Sequence, residues 1–207
     1  NDELWVHYGN TIWYTVTGTL VNMVLTVLGA YPLSRKSLIM RKQLMFFISF
    51  TMFFSGGLIP TFLTIKDLGL YNTRLVMILM GCVNVWNLMV ARTYIQTSIP
   101  HELYEAAMLD GATHFNYFFK IVMPLSKTIL AVLAVYYGVA KWNDYFTGLV
   151  YLKSRDLLPL QTVLREILAT LQVDRSSDYM LSMSENAASI NEAIRTANVA
   201  KYCIIVV

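Results

Sequence analysis

Four apolar runs dominate the chain, from about Thr11 to Leu33, Leu44 to Ile65, Leu75 to Tyr94 and Leu125 to Phe146. A helix rises roughly 1.5 Å per residue, and a bilayer core is about 30 Å thick, so about 20 residues are enough to cross it. Backbone N–H and C=O groups find no water there, so the runs are expected to be helices. The expected fold class is therefore all-α, a polytopic membrane protein. Composition agrees. Hydrophobic residues make up 56% of the chain and charged residues 14%, with a mean hydropathy of +0.50. Soluble domains carry about 25% charged residues.

A fifth apolar run enters near Val199 and stops at Val207, short of a span. The chain starts on Asn1-Asp2-Glu3, without an initiating Met or the basic n-region of a signal peptide. About five spans are thus expected here, the last cut short, as a fragment of a six-span protein. Residues 1–9 read as a polar, aromatic lead-in, with Trp5 and Tyr8 suited to a membrane interface. Gly18 and Gly29 leave room for close helix contact, and Pro32 marks the end of the first span. The second span contains Gly56-Gly57 and Pro60, which predicts a kink or break. The third is expected to run through Asn84 and Asn87. Residues 147–197 form a long polar segment, with an amphipathic helix over 158–168 and a Ser/Asp/Asn-rich loop over 174–190.

Net charge is +3, and its placement matters more than its size. Arg35, Lys36, Arg41 and Lys42 crowd the first short loop, with no acid among residues 34–42. The positive-inside rule makes that loop cytoplasmic, which puts 95–124 inside and 147–197 outside. Cys82 and Cys203 lie within apolar runs, and His7, His101 and His114 form no ligand pattern with them. No Gly-rich phosphate loop, nucleophile elbow or zinc-helix motif is found. A chain of this kind is expected to perform no chemistry, to bind no metal or cofactor, and to have no nucleic-acid partner.

Between the third and fourth runs lies a stretch that is polar and small. Pro100 suits the first turn of a helix, Leu103, Ala106 and Ala107 share one face, and Gly111 can stop the helix in a left-handed turn. Thr113 can cap a second short helix that Pro124 interrupts. Glu105-Ala106-Ala107, then Gly111, then Ile121 and Pro124 resemble the EAA motif of ATP-binding-cassette importer permeases, with Met123 where that family usually has Leu. Leu68-Gly69-Leu70-Tyr71-Asn72-Thr73, Trp142-Asn143-Asp144-Tyr145 and Leu158-Pro159-Leu160-Gln161 resemble segments of its carbohydrate branch, which includes the smaller maltose permease and Gram-positive oligosaccharide permeases.

The resemblance implies one transmembrane domain over 1–207, with 95–124 as the coupling loop and 147–197 external. It implies a bacterial cytoplasmic membrane protein that forms half of a sugar path. The implied partners are a second homologous permease, two cytoplasmic ATPase subunits that hydrolyse the ATP, an extracellular solute-binding protein, and lipid. The family's coupling role carries over to Glu105, Ala106, Ala107, Asp110, Gly111, Ile121 and Pro124. Glu105 then pairs with a basic residue of the ATPase, the plainer alternative being a solvated helix charge. For Ala106, Ala107 and Gly111 the alternatives are small size for a groove, or helix propensity and a cap.

Asn22, Asn84 and Asn87 either bond between helices or line a polar path. Asn143 and Asp144 are candidates for an external gate, Tyr136 and Tyr137 for sugar contact, and Lys141 for snorkelling to the interface. Rival readings are a permease for amino acids, peptides or ions, a membrane-embedded enzyme, and a structural or sensory subunit. The enzyme would need clustered ionisable groups in mid-membrane, which these runs lack.

Overall fold

The structure is a computed structural model that describes residues 2–182. Among these residues all regular structure is helical, as expected. The long first helix, α1 (Asp2–Ser34), is the post around which the rest is packed. It includes residues 2–9, which the polar lead-in reading had left outside the first span. Asn10, Tyr14 and His7 hold these early turns against the chain at 156–158. Asn10 Nδ2 donates to the carbonyls of Asp156 (2.7 Å) and Leu158 (3.3 Å), Tyr14 OH donates to that of Leu157 (2.9 Å), and His7 Nδ1 lies 2.9 Å from the Leu158 carbonyl. Tertiary contact thus extends the helix beyond its apolar run.

The expected second span is two helices, α2 (Arg41–Phe53) and α3 (Leu58–Asp67), bent by 112° at the Gly56-Gly57 break. The third departs further from expectation. Instead of one helix from 75 to 94 it is α4 (Arg74–Leu79) and α5 (Val85–Ser98), separated by five residues that are not helical. Then come α6 (His101–Leu109), α7 (His114–Tyr117), one π-helical stretch (Phe118–Val122) and the single turn α8 (Met123–Leu125). Another bend, of 75°, leads into α9 (Lys127–Trp142). After it come α10 (Tyr145–Tyr151), a 3₁₀ turn (Arg155–Leu157) and α11 (Leu160–Ser182). The expected loop over 174–190 is helical as far as Ser182; the remainder, with the run at Val199, lies outside the described residues. By length and composition, Glu3–Ser34 can cross a membrane as one helix, and two bent pairs can do so if each counts as one span.

Two apolar clusters anchor the bundle. At the end bearing the basic loop, Val27, Ala30 and Leu33 of α1 pack with Ala91 and Ile95 of α5, Leu133 of α9, and Tyr117 and Phe118. At the opposite end Tyr14 packs with Val76, Met77, Tyr151, Leu158 and Val163. Asn72, at φ 57, stitches that end together. Its N–H donates to the Tyr151 carbonyl, and its Oδ1 accepts from the N–H groups of Lys153 and Ser154, each at 2.9 Å.

Candidate functional site

The stretch from Pro100 to Pro124 folds as the residue types dictate. Pro100 is the residue just before α6, and Glu102 sits in the first turn, where a negative charge suits the helix dipole. At the other end Gly111 takes φ 76, in the left-handed region. Its N–H donates to the Met108 carbonyl (3.1 Å), and the N–H of Ala112 donates to that of Ala107 (2.9 Å). This paired closure is the Schellman motif, which satisfies carbonyls that a helix end leaves open. Thr113 caps α7 as expected, its Oγ1 accepting from the N–H of Asn116 at 3.3 Å.

The structure splits the small-residue face that the periodicity predicts. Ala107 is buried against the chain's own core with Tyr104 and Met108 partly buried beside it, so its small size serves internal packing. Glu105, Ala106, Asp110 and Gly111 are exposed, and an added Cβ at Gly111 would meet no atom within 4 Å. Ile121 is half-buried against the same core, and Pro124 is exposed. Among the described residues Glu105 has one partner, His101 Nδ1 at 3.2 Å, on an exposed helix surface where such pairs contribute little. Leu109 is 89% exposed and Phe115 77%, so the outward surface of this element is apolar with a carboxylate beside it.

One residue that sequence reading had counted only for its charge ties this element to α1. The Arg35 guanidinium lies over three tyrosine rings: Tyr104 of α6 at 4.2 Å, Tyr117 of α7 at 4.6 Å and Tyr31 of α1 at 4.9 Å. It also donates to Tyr31 OH at 3.1 Å. The rings come from elements far apart in sequence, so no local pattern announces the cage. Each cation–π contact contributes about 0.5–2 kcal/mol depending on desolvation. Arg35→Ala is therefore expected to loosen α6 and raise the rate of proteolysis at α6 about tenfold. Arg35→Lys should fall between, because an ammonium lacks the stacking plane. Proteolysis of Arg35→Ala at the wild-type rate would mean that the cage does not hold α6.

A second region lies between the two apolar clusters. A cavity of about 690 Å³ is lined by Asn22, Asn84, Asn87, Tyr136, Tyr137 and Asp144, among others. The structure thus gathers six sequence candidates, Asn22, Asn84, Asn87, Tyr136, Tyr137 and Asp144, around one cavity. Most of their polar atoms are engaged. Asn84 caps α5, its Oδ1 accepting from the N–H of Asn87 at 3.2 Å. Tyr137 OH is 2.6 Å from Thr26 Oγ1 and accepts the N–H of Asn84 at 3.3 Å. Asp144 caps α10 through the N–H of Thr147 at 3.1 Å, and Asn143 donates to the Val139 carbonyl at 2.9 Å. Asn143 is not part of the cavity wall. Asn22 is 1% exposed, and among the described residues its Oδ1 has no hydrogen-bond partner. Lys141 does not snorkel to the interface: it is 7% exposed and its ammonium is turned inwards on backbone carbonyls. Among the described residues no group of three or more His, Cys, Asp or Glu side chains is placed to hold a metal ion.

Comparison with known proteins adds to this geometry. The model of a family described as "Binding-protein-dependent transport system inner membrane component" matches residues 23–183. The chain is 45% identical over 157 residues to the polygalacturonan/rhamnogalacturonan transport system permease protein YtcP of Bacillus subtilis (strain 168), covering 76% of this chain and 54% of that protein. It is 28% identical over 188 residues to the arabinooligosaccharides transport system permease protein AraQ of Halalkalibacterium halodurans, covering 90% and 66%. The chain spans about half the length of the first of these relatives. Its fold matches a chain from the crystal structure of a bacterial ABC transporter involved in the import of the acidic polysaccharide alginate. That match has a TM-score of 0.80 and 32% identity, covering all of this chain and 73% of the other.

Proposed function

Because the chain belongs to the family of binding-protein-dependent transport system inner membrane components, we propose that it is the transmembrane permease subunit of an ATP-binding-cassette importer for a sugar or oligosaccharide. It forms half of a path completed by a second homologous permease. Two cytoplasmic ATPase subunits dock on α6, and an extracellular solute-binding protein delivers substrate. The protein lies in the bacterial cytoplasmic membrane with the basic loop inside. It performs no chemistry itself; ATP is hydrolysed by its partners.

The observation that carries this reading is the docked but open α6–α7 element. Its inner face is buried on the bundle and held by Arg35, while Glu105, Ala106, Leu109 and Gly111 stay exposed. A surface built this way can be gripped by a partner and can pass the partner's movement into the helices. ATP binding shifts the complex between outward and inward access only as far as it binds the two states differently. The names of the relatives, for polygalacturonan/rhamnogalacturonan and arabinooligosaccharides, support the sugar class.

The test uses the full-length protein co-expressed with its ATPase and binding-protein subunits. Hydrolysis in membranes is expected to rise with one oligosaccharide of a panel that includes acidic and neutral members. A response confined to amino acids, peptides or ions would keep the mechanism and replace the substrate class. Hydrolysis that never depends on this subunit would favour a structural or sensory role, as would unimpaired coupling in Glu105→Lys.

A further inference from the structure

The break between α4 and α5 presents a physical problem. A helix end inside a membrane leaves carbonyls without partners, and no water is there to satisfy them. Lys141, on α9 more than sixty positions further along the chain, meets this need. Its Nζ donates to the carbonyls of Met77 (2.7 Å), Met80 (2.8 Å) and Ile78 (3.3 Å). An ammonium has three protons, and here three acceptors sit around it at the C-terminal end of α4, where the helix dipole also favours a cation. One turn earlier on α9, Tyr137 OH takes the N–H of Asn84, the cap of α5. Two side chains four residues apart therefore hold the two sides of the break. Gly18 of α1 makes room for this: a Cβ there would stand 3.1 Å from Lys141 Cε and 3.2 Å from its Cδ.

We propose that Lys141 is a positioning residue that keeps the third span open at residues 80–84, so that the ends of α4 and α5 form one wall of the substrate path. This rests on the reading of the neighbouring cavity as that path. Lys141 touches no substrate in this role, because its three donors are already used. It acts by fixing the backbone at Met80, which lines the cavity together with Asn84, the residue that Tyr137 holds.

Cys82 lies inside the break, is a free thiol and is partly exposed, so it reports the state of the break directly. The experiment uses the full complex in membranes in a Cys203→Ser background, with a water-soluble maleimide as probe and substrate-dependent transport measured alongside. Lys141→Met keeps the unbranched stem, one atom shorter, and removes the donors. It is expected to change the rate of Cys82 labelling about tenfold and to raise KM for transport, with partner subunits still co-purifying. Lys141→Arg, which keeps donors and charge, should restore part of both. Equal labelling rates in wild type and Lys141→Met would overturn the proposal. A changed rate with unaltered KM and no protection by substrate would leave a purely structural clamp and overturn its assignment to the path. If Lys141→Met fails to assemble, Gly18→Val decides, because it presses on the lysine stem without removing the charge; labelling equal to wild type there would overturn the proposal as well.

Discussion

Gly111→Asp is expected to abolish substrate-stimulated ATP hydrolysis while leaving the permease folded and in the membrane. The backbone there has φ 76, where a side chain costs roughly 1–2 kcal/mol. That strain falls on one exposed turn and is too small to unfold the bundle. Among the described residues an added Cβ there meets no atom within 4 Å other than those of its chain neighbours. Under the proposed function, a large loss of coupling would then arise where this exposed turn meets its partner, with the new carboxylate next to Asp110. Gly111→Asn isolates the charge, because Asn and Asp are alike in size and both tolerate the left-handed region. Loss in both variants assigns the effect to side-chain bulk at this turn; recovery in Gly111→Asn assigns it to the charge. Full hydrolysis in Gly111→Asp would remove the docking role from this turn.

Gly148→Val has the largest expected effect on stability. Even a Cβ at this position would stand 2.5 Å from Thr162 Oγ1 and 2.9 Å from Pro159 Cδ. Neither neighbour yields easily. Thr162 is 1% exposed and its hydroxyl donates to the Tyr145 carbonyl at 3.0 Å, while the Pro159 ring is fixed to the backbone that starts α11. Overpacking of this kind costs about 3 kcal/mol, and separating α10 from α11 is the way to relieve it. The purified subunit should melt at lower temperature, and α11 should become the first site of proteolysis. An unchanged melting temperature would mean that the two helices are not packed as described.

Features governed by local rules were legible in the sequence. Gly111, Thr113 and the Gly56-Gly57 break behave as their residue types predict, because capping and helix breaking depend on a few neighbouring positions. Asn84 and Asn87 were singled out as polar groups in apolar runs and Tyr137 as a candidate for sugar contact, and they meet at one cavity. Features that depend on distant partners were not legible. Residues 75–94 read as one apolar span, because the lysine that makes a break tolerable lies on α9. The Arg35 cage draws on rings from α1, α6 and α7, and nothing in the loop around Arg35 points to them. The early turns of α1 were missed because hydropathy cannot register hydrogen bonds to residues 156–158. At Asn143 and Asp144, capping satisfies the same polar atoms that had suggested a gate.

The 33 residues of α1 make a rod of about 50 Å, well beyond the thickness of a bilayer core. At one tip His7, Asn10 and Tyr14 grip the chain before α11; at the other, Arg35 follows immediately and grips α6 and α7. A continuous helix resists compression along its axis, so the two tips cannot move independently. A push delivered at one tip therefore reaches the other through a single strut.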